Sequence, residues 1–413
     1  MTAAPWSAPA QRVDLWAIAS FALAVLILLT HSQGWVMLLA GEPSDPGKSG
    51  LIRNLYLPAY GAAIVLLAAQ PGDSFRALMR QPFLVLVMIV AGASVLWSIS
   101  PDHTVRRIIA LYATTLGGVV LAVRFRWARL AEVLAATFAV LAVASVLVAL
   151  ALPETGKMQA LFPGAWRGLW PEKNNLGGAM VMAAGVFAAA AVMNPARRRL
   201  WWPFAGLAVA LILLSTSKTA LVSLLLGAMA FAFVFVVRRG PASGVAATWA
   251  AILAAVLLGG FLLLAADVFL ELLGKDATLT GRTKIWDAIM RQVEQRPWTG
   301  FGYAAVWDDT SAWGPLAWIV KEAGFKAGHA HNAWLEQWLG LGLGGLLAWG
   351  LLWLQTMAAA VTAVFRERGA YLAFPFLVVY SLTSLTESIA VSYNDMRWVI
   401  FVAFAVKLAT PED

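Results

Sequence analysis

The chain alternates between long apolar segments and short polar connections over nearly its whole length. Residues 245–266 form a run of 22 positions without one charged side chain, and residues 133–152 are uncharged as well. About 20 apolar residues in helical form span the hydrocarbon core of a bilayer. Backbone polar groups in lipid must be bonded within the chain, so such spans are helices. The pattern therefore predicts an all-α, polytopic membrane protein.

About twelve segments are predicted to span the membrane, within a single integral domain that covers residues 1–413. In order they are 14–33, 51–70, 82–99, 107–125, 129–152, 175–194, 200–216, 218–237, 245–267, 333–363, 370–388 and 396–410. The first is too long for the apolar core of a cleavable signal, so we interpret it as a span. The tenth exceeds one span, and we expect it to tilt or to break at Gly342, Gly344 and Gly345.

Composition supports this class. Hydrophobic residues make up 61% of the 413 positions and charged residues 13%, whereas soluble domains carry about 25% charged residues. The chain contains no cysteine, so it forms no disulfide and has no cysteine-ligated metal site.

The distribution of arginines among the connections predicts the orientation of the chain in the membrane. Connections on the cytoplasmic side of a membrane protein are enriched in Lys and Arg. The second, fourth, sixth, eighth and tenth connections are short and basic, and they carry Arg76, Arg80, Arg124, Arg126, Arg129, Arg197, Arg198, Arg199, Arg238, Arg239, Arg366 and Arg368. We therefore expect both termini in the cytoplasm. One long loop, residues 269–332 between the ninth and tenth spans, then lies on the outer, periplasmic side.

The basic residues outside these five connections need a separate explanation for their positions. Sixteen of the 30 lysines and arginines fall on the outer side in this topology. Long translocated loops tolerate charge, which accounts for those in 269–332. It does not account for Lys157, Arg167, Lys173 and Lys218, which lie in short connections. An anionic ligand at the outer face is the predicted explanation.

The outer loop contains a predicted amphipathic helix over residues 281–295. Its apolar side chains recur at helical spacing, and they are Ile285, Trp286, Ile289, Met290 and Val293. We expect this helix to lie in the membrane interface with its apolar side down. The alternative is a loop helix packed on the spans. Arg282, in the first turn, projects towards the apolar side, and the packed arrangement is also compatible with Arg282 facing a ligand.

Two of the four histidines, His329 and His331, lie two residues apart just before the tenth span. An imidazole takes up a proton near neutral pH, which suits a general base. Two other interpretations remain open for this pair. One is a metal site, but no third ligand stands at a recognisable spacing, so no metal is predicted. The other is a histidine that only caps a helix or bonds to the surface.

A second group of polar residues precedes the sixth span, in the sequence W-R-G-L-W-P-E-K-N-N-L-G. Arg167 and Lys173 are candidates for phosphate binding, and Asn174 and Asn175 for sugar hydroxyls. Trp170 is a candidate for stacking on a sugar, with an interfacial aromatic belt as the alternative.

Lys218 stands at the start of the eighth span, where the helix dipole disfavours a cation. A bound phosphate would remove that penalty. Snorkelling of the lysine to the lipid headgroups is the alternative.

The order of motifs carries a family resemblance. S-T-S-K-T-A (215–220), G-R-T-K-I-W (281–286), P-W-T-G-F-G-Y (297–303) and H-A-H-N-A-W-L-E (329–336), closed by a glycine-rich span, resemble the O-antigen ligase and Wzy-type polysaccharide polymerase superfamily. W-P-E-K-N-N-L-G resembles exopolysaccharide polymerases of the ExoQ type. The resemblance covers residues 160–413, and the first five spans match only in hydropathy.

This resemblance implies a glycosyltransferase on the periplasmic side of a bacterial inner membrane. Such enzymes move a glycan from undecaprenyl pyrophosphate to a hydroxyl of lipid A–core or of another lipid-linked repeat unit. They need no cofactor, metal, nucleotide sugar or nucleic acid. Arg282 and Lys218 would bind pyrophosphate, His331 would be the base with His329 as the second candidate, and Asn332 would contact glycan.

One departure from the ligase pattern concerns Lys218, where ligases often carry arginine. Lysine lacks the bidentate fork of arginine, which slightly favours a polymerase over a ligase. Glu172, Glu322 and Glu336 are further candidates for the base. No pair of carboxylates suggests a double displacement, so a single, inverting displacement is expected.

Two other functions fit twelve spans. A secondary transporter would place ionisable groups at mid-membrane and show repeated halves. A flippase for lipid-linked oligosaccharides would need a charged cavity deep between two halves. The clustering of charge at the outer surface favours the glycosyltransferase.

Overall fold

A computed structural model describes residues 14–40, 49–160, 162–264 and 282–410. Within these ranges the chain is helical and forms no strand, apart from one isolated bridge between Lys157 and Trp166. The first nine helices are α1 (Leu15–His31), α2 (Val36–Ala40), α3 (Ser49–Asn54), α4 (Leu57–Ala69), α5 (Pro71–Met79), α6 (Pro82–Ala93), α7 (Pro101–Arg124), α8 (Trp127–Ala151) and α9 (Pro153–Gly156). The others are α10 (Lys173–Met193), α11 (Arg198–Leu214), α12 (Lys218–Val237), α13 (Pro241–Leu264), α14 (Arg282–Gln295), α15 (Pro315–Ala323), α16 (Ala333–Arg366), α17 (Ala370–Ser384) and α18 (Met396–Leu408).

Local sequence accounts for where several helices begin. The side chains of Asp14, Ser217, Asn332 and Asp395 accept hydrogen bonds from the first free backbone N–H groups of α1, α12, α16 and α18. Such caps satisfy donors that have no partner within the helix.

In the described part of the chain, six helices are long and apolar enough to cross a membrane. They are Gly50–Ala69, Pro101–Arg124, Trp127–Ala151, Lys173–Met193, Lys218–Val237 and Ala333–Arg366. A bent pair, Pro71–Met79 and Pro82–Trp97 with an angle of 92°, raises the number to seven, and shorter apolar helices accompany them. The chain is thus a multi-pass, all-α membrane protein. Each predicted segment overlaps a helix, while the count of twelve spans stays a prediction.

The predicted break in the tenth span occurs at Gly342, whose φ of 66° and ψ of −167° interrupt α16. A segment of the outer loop packs into this break. The N–H of Leu343 donates to the carbonyl of Pro297 at 2.8 Å, and that of Phe301 to Leu339 at 3.0 Å. A Cβ atom at position 342 would lie 2.2 Å from the carbonyl oxygen of Trp298. Glycine is therefore required both for the positive φ and for this close approach.

The loop helix α14 packs on protein. Ile285, Ile289 and Val293 are buried in an apolar cluster with residues of α15 and the first turns of α16. Of the two interpretations of this helix, the structure therefore supports the packed one and not the one that lies in the interface. Position 281, the first residue of the predicted helix, lies outside the described residues.

The centre of the bundle is α18, the last predicted span. Nearly all of its side chains are buried, including Trp398 and Phe401. It packs against α7, where a Cβ at Gly118 would lie 2.6 Å from the carbonyl oxygen of Val399. The short connection that enters α18 contacts both halves of the chain, since Gln33 Nε2 donates to the carbonyl of Asn394 at 2.9 Å and Gln337 Nε2 to that of Ala390 at 3.1 Å.

The basic connections lie together at one end of the bundle, which we call the basic end. Glu132 pairs with Arg129 at 2.6 Å and with Arg197 at 3.1 Å, and so joins two of these connections. Arg238 donates to the carbonyl of Glu367 at 2.9 Å, which joins two more. The opposite end, where α10, α12 and α16 begin, is called the site end. That it faces the periplasm stays a prediction.

Candidate active site

The two residues at the centre of the site end are His331 and Glu387, which come from distant parts of the chain. The Nδ1 atom of His331 lies 3.3 Å from Oε2 of Glu387. Each side chain is 30% exposed, so the pair is reachable from solvent yet partly desolvated. A carboxylate that accepts from Nδ1 fixes the imidazole tautomer and leaves Nε2 as the acceptor of a proton.

Arg282 completes this centre. Its Nη2 lies 2.9 Å from Oε1 of Glu387, and its Nη1 donates to the carbonyl of Thr386. Because Arg282 is the first residue of α14, the packing of that helix on α16 positions its guanidinium beside the histidine. One carboxylate therefore bridges a fixed cation and an imidazole.

Glu387 stays ionised. Burial raises the pKa of its carboxyl group, but the hydrogen bond from His331 and the charge of Arg282 outweigh burial and lower the pKa to about 2. The charged form is thus the one present at neutral pH.

His329 lies against His331, with the ring centroids 3.9 Å apart. Its Nδ1 accepts a hydrogen bond from the backbone N–H of His331 at 3.2 Å. Burial, followed by the charge of His331, lowers the pKa of His329 to about 4. His329 is therefore neutral near pH 7 and helps to hold the turn on which His331 stands.

Glu336, one of the candidates for the base, is occupied as an acceptor by three groups. Its oxygens accept from Trp307 Nε1 at 2.5 Å, from the backbone N–H of Ala330 at 2.9 Å and from Ser388 Oγ at 2.8 Å. Ala330 precedes His331, and Ser388 follows Glu387. Glu336 thus ties together the two segments that supply the central pair.

The connection from α17 to α18, residues 385–395, is the segment that the sequence did not point to. It carries Glu387 at one end and ends at Asp395, which pairs with Arg397 at 2.5 Å. Tyr303 OH donates to the carbonyl of Val391 at 2.7 Å, and Gln337 Nε2 to that of Ala390 at 3.1 Å. Only residue types could have signalled this segment, since Glu387 falls inside the predicted span 370–388 and charged side chains are rare within spans.

Backbone strain concentrates in these same connections. Among the described residues, the non-glycine positions with positive φ are Gln33, Thr216, Ala304, His331, Val391 and Asn394, and all lie at the site end. Such conformations cost free energy and persist where surrounding contacts impose them, commonly at functional sites.

Lys173 and Lys218 form a second group of cations, at the starts of α10 and α12. Lys173 Nζ lies 3.2 Å from Thr216 Oγ1 and 3.7 Å from the centroid of the Phe162 ring. Lys218 stands two residues after Thr216, so both lysines belong to the same small region. In the described part of the chain, neither is paired with a carboxylate. Two like charges held together in this way favour an anionic partner.

Asn174 and Asn175 are exposed beside these lysines, and Asn174 Oδ1 accepts from Ser217 Oγ at 2.8 Å. Their predicted contact with glycan stays a prediction. Asn332 caps α16 by accepting from Trp334 and Leu335 through Oδ1, which leaves its amide N–H groups for a ligand.

Arg167 and Trp170 are placed differently from what the sequence suggested. The guanidinium of Arg167 donates to the carbonyls of Thr155, Pro171 and Glu154, so it holds the connection before α10 together. The ring of Trp170 is buried with 6% exposure, and its N–H donates to the carbonyl of Ser32 at 2.9 Å. A ring buried in this way offers a sugar little surface for stacking.

The third residue that a metal site would need is now identified. Single ligand atoms of His329, His331 and Glu387 all lie within 4.8 Å of one another. However, both oxygens of Glu387 already have partners, Arg282 and His331. A guanidinium in contact with the same carboxylate opposes a metal ion by charge repulsion.

Residues 203–350 match the protein family described as O-antigen ligase. The chain is also similar to the exopolysaccharide production protein ExoQ of Rhizobium meliloti (strain 1021), with 33% identity over 190 residues, or 44% of this chain and 43% of ExoQ. The aligned region thus spans less than half of that relative. Lys218, Arg282, His331 and Glu336 lie inside the family match, and Glu387 lies beyond it. The resemblance predicted from the motifs is confirmed.

Proposed function

We propose that this relative of the O-antigen ligases is a membrane glycosyltransferase. It would transfer a glycan from undecaprenyl pyrophosphate to an acceptor hydroxyl, at a site facing the periplasm of the bacterial inner membrane. The observation that carries the proposal is the bridge from Arg282 through Glu387 to His331. It places a cation for a phosphate next to an oriented base for a hydroxyl.

The base is His331. Its Nε2 takes the proton of the acceptor hydroxyl while that oxygen attacks the anomeric carbon of the donor. The bond from the anomeric carbon to the pyrophosphate oxygen breaks at the same time, and the electron pair leaves with the pyrophosphate. One displacement inverts the anomeric centre. A positioned base of this kind contributes roughly 10²–10⁴-fold to the rate.

The leaving group gains negative charge as the bond breaks, and fixed cations stabilise it. Arg282 and Lys218 are the proposed pyrophosphate ligands, joined by Lys173. Arg282 is paired with Glu387 in the structure, so a bound pyrophosphate would share or replace the carboxylate. Arg167 would support this set by holding the connection that ends at Lys173.

The carboxylate of Glu387 serves His331 throughout. It accepts from Nδ1 and stabilises the imidazolium that forms when Nε2 is protonated. Glu336 acts through its neighbours, since it fixes the positions of Ala330 and Ser388 beside the pair. We expect no metal requirement, because the charges of Arg282 and both lysines supply the stabilisation.

We place the chain with the polymerases, so that the acceptor is the end of another lipid-linked repeat unit. The similarity to ExoQ, named for exopolysaccharide production, supports this choice. Ligation to lipid A–core is the second candidate, supported by the O-antigen ligase match.

The test uses purified protein with lipid-linked repeat units from the native host. Wild type and His331→Ala are compared with and without lipid A–core, and with EDTA. A ladder of longer glycans that needs no lipid A–core, resists EDTA and is lost in His331→Ala supports the polymerase. Product only with lipid A–core identifies a ligase. No product from competent substrate in either case would reject the glycosyltransferase in favour of a transporter or a flippase.

A further inference from the structure

A groove of about 700 Å³ opens at the basic end, between the last turn of α12, the first turns of α13 and the last turn of α16. Its lining side chains are apolar apart from Arg238 and Thr248. The hydroxyl of Thr248 donates to the carbonyl of Gly244 within α13 at 2.8 Å. Arg238 is therefore the lining side chain that can bind a polar group of a ligand.

The groove opens sideways from the bundle. Three of its lining side chains on α13, Val245, Trp249 and Ile252, are 60%, 68% and 48% exposed, and Phe365 of α16 is 56% exposed. Apolar surface of this extent on a spanning helix faces acyl chains and not water. A lipid can therefore enter the groove directly from the membrane.

The length of the groove matches one leaflet. Ile252 stands 11 residues after Pro241, which is roughly 16 Å along α13 at 1.5 Å per residue, and one leaflet of the hydrocarbon core is about 15 Å deep. Val237 stands 19 residues after Lys218 on α12, or roughly 29 Å away. The groove thus lies at the opposite side of the membrane from the proposed pyrophosphate site and fits a lipid of the leaflet at the basic end.

Arg238 is held at the rim of the groove with donors to spare. Its Nη1 donates to the carbonyl of Glu367 at 2.9 Å, and its Cζ lies 5.9 Å from the ring centroid of Tyr371. Its other N–H groups have no hydrogen-bond partner in the described part of the chain. The carboxylate of Glu367 accepts from Trp127 Nε1 at 3.0 Å, so it is engaged with α8. A fixed guanidinium with free donors suits a phosphate.

The charges next to the groove are mostly positive. Arg239, Arg366 and Arg368 are exposed and stand beside Arg238 or the last turn of α16 in the sequence. Glu367 is the only acid in residues 237–252 and 365–371. This excess of positive charge attracts a headgroup of net negative charge and repels the ammonium of a zwitterionic one.

We infer that the groove binds a phospholipid with an anionic headgroup. The phosphate accepts hydrogen bonds from Arg238, and one acyl chain lies on Val245, Trp249 and Ile252. Basic pockets between spanning helices recognise anionic headgroups in this way. The bound lipid fills the gap between α13 and α16. This inference does not depend on the proposed function, because it concerns the other end of the bundle and no step of the transfer.

The experiment measures lipid binding to the full-length protein, purified in detergent and stripped of lipid. Phosphatidylglycerol and phosphatidylcholine with the same acyl chains are titrated separately, and bound lipids are counted by native mass spectrometry. Arg238→Gln removes the cation but keeps an amide that can donate to the carbonyl of Glu367. Gly244→Leu fills the groove, where a Cβ would make an ordinary contact of 3.6 Å with the carbonyl oxygen of Val237.

Each variant has a matched control outside the lining. Arg199→Gln removes another exposed arginine of the basic end. Gly259→Leu changes a glycine of the same helix α13, where a Cβ would meet nothing within 4 Å. Thermal melts of all five proteins without lipid verify that the variants are folded.

We expect wild type and both controls to bind phosphatidylglycerol about fivefold more tightly than phosphatidylcholine. Arg238→Gln should lose this preference, and Gly244→Leu should weaken the binding of both lipids. Equal binding of the two lipids by wild type would overturn the inference. So would an equal loss in Arg199→Gln, which would show a response to total charge. A dimer that forms without lipid and is lost in Gly244→Leu would assign the groove to a second copy of the chain instead.

Discussion

Two carboxylates at opposite ends of the bundle make the same kind of bridge with different consequences. Glu132, at the basic end, binds Arg129 and Arg197 through its two oxygens. Glu387, at the site end, binds Arg282 and His331 in the same way. Both partners of Glu132 are permanent cations from neighbouring connections, so this bridge joins parts of the fold. One partner of Glu387 is an imidazole that exchanges protons.

The cations at the two ends of the bundle also differ in their partners. At the basic end, Arg197 is paired with a carboxylate and Arg238 with a carbonyl group. Lys173 and Lys218 lie at the two sides of one short connection at the site end, since Lys173 contacts Thr216, and no carboxylate of the described chain pairs with either. Paired cations of this kind join parts of the fold, whereas Lys173 and Lys218 are the cations proposed to bind the pyrophosphate. Matched substitutions at the two ends can test this distinction.

The largest effect is expected for Glu387→Gln, set against Glu132→Gln. Loss of the carboxylate at 387 removes the partner of His331 Nδ1 and should lower kcat by about 10²-fold or more, as in other His–carboxylate pairs. With a pKa of about 2, Glu387 is charged from pH 5 to pH 8, so the reduction should be equal across that range. Initial rates at several pH values measure it.

Glu132→Gln should leave kcat near the wild-type value and lower thermal stability. The arginines it binds are half exposed, so solvent screens the pairs and the cost should be about 1 kcal/mol. A reversal, with kcat lost at position 132 and kept at 387, would refute the distinction.

The second effect concerns donor affinity. Lys218→Ala and Lys173→Ala should each raise the KM for the lipid-linked donor by about tenfold, or 1.4 kcal/mol, because each removes a charge that faces the pyrophosphate. The rise should shrink at high salt for Lys218→Ala, because salt screens exposed charges, and it should shrink less for the buried Lys173. Arg197→Ala, the control from the basic end, should not alter this KM. Steady-state kinetics at two ionic strengths decide the matter, and an unchanged KM in both lysine variants would count against an anion there.

A smaller effect is expected at Glu336, which positions the pair without touching substrate. Glutamine supplies one acceptor oxygen where three donors now converge, so Glu336→Gln should reduce kcat several-fold, within the roughly 0.5–1.5 kcal/mol of a typical hydrogen bond. The KM should hold. Glu322→Gln, which disturbs only the surface pair with Arg291 at 3.2 Å, is the matched control. A change in KM without a change in kcat would assign Glu336 to binding instead.

The smallest effect is a pH dependence of stability at His329. Its folded-state pKa of about 4 lies below the ordinary 6.5, so the unfolded chain binds the proton more readily and stability falls as the pH drops from 6.5 towards 4. Glu387 contributes stability above its ordinary pKa of 4.5, which is lost only as the pH falls towards 2. Between pH 7 and pH 5 Glu387 therefore adds no change, and the comparison of wild type with His329→Gln isolates the contribution of His329. Thermal melts of His329→Gln should show a smaller loss over this interval than wild type, and an equal loss would contradict the assignment.

Much of the fold could be predicted because bilayer thickness and backbone bonding leave an apolar chain few choices. α12 begins at Lys218 and ends at Val237 as the pattern predicted. The break at Gly342 was predicted from a cluster of glycines, but its cause, the segment from Pro297 to Phe301 packed against it, involves residues far apart in sequence. The packing of α14 on protein also depends on which surface its apolar face meets.

The residues of the candidate site also fall into those that the sequence predicted and those that only the structure revealed. Arg282, Lys218 and His331 were identified from short motifs, where charge and residue type suffice. The role of Glu387 could not be predicted from the sequence. Nothing in the sequence around Glu387 indicates that α17 ends beside the turn at His331. Glu336 looked like a free acid, and only its contacts with Trp307, Ala330 and Ser388 reveal a structural acceptor.

The sequence by itself determined the class of this protein, its apolar helices, the basic connections and the residue types available for chemistry. Hydropathy and charge act locally, through the transfer of each segment between water and lipid. Tertiary structure alone decided which charges are paired, which carboxylate reaches which histidine and where a groove opens between helices. Those outcomes depend on contacts between segments brought together by packing, and the energy of a charge is set by the groups that surround it.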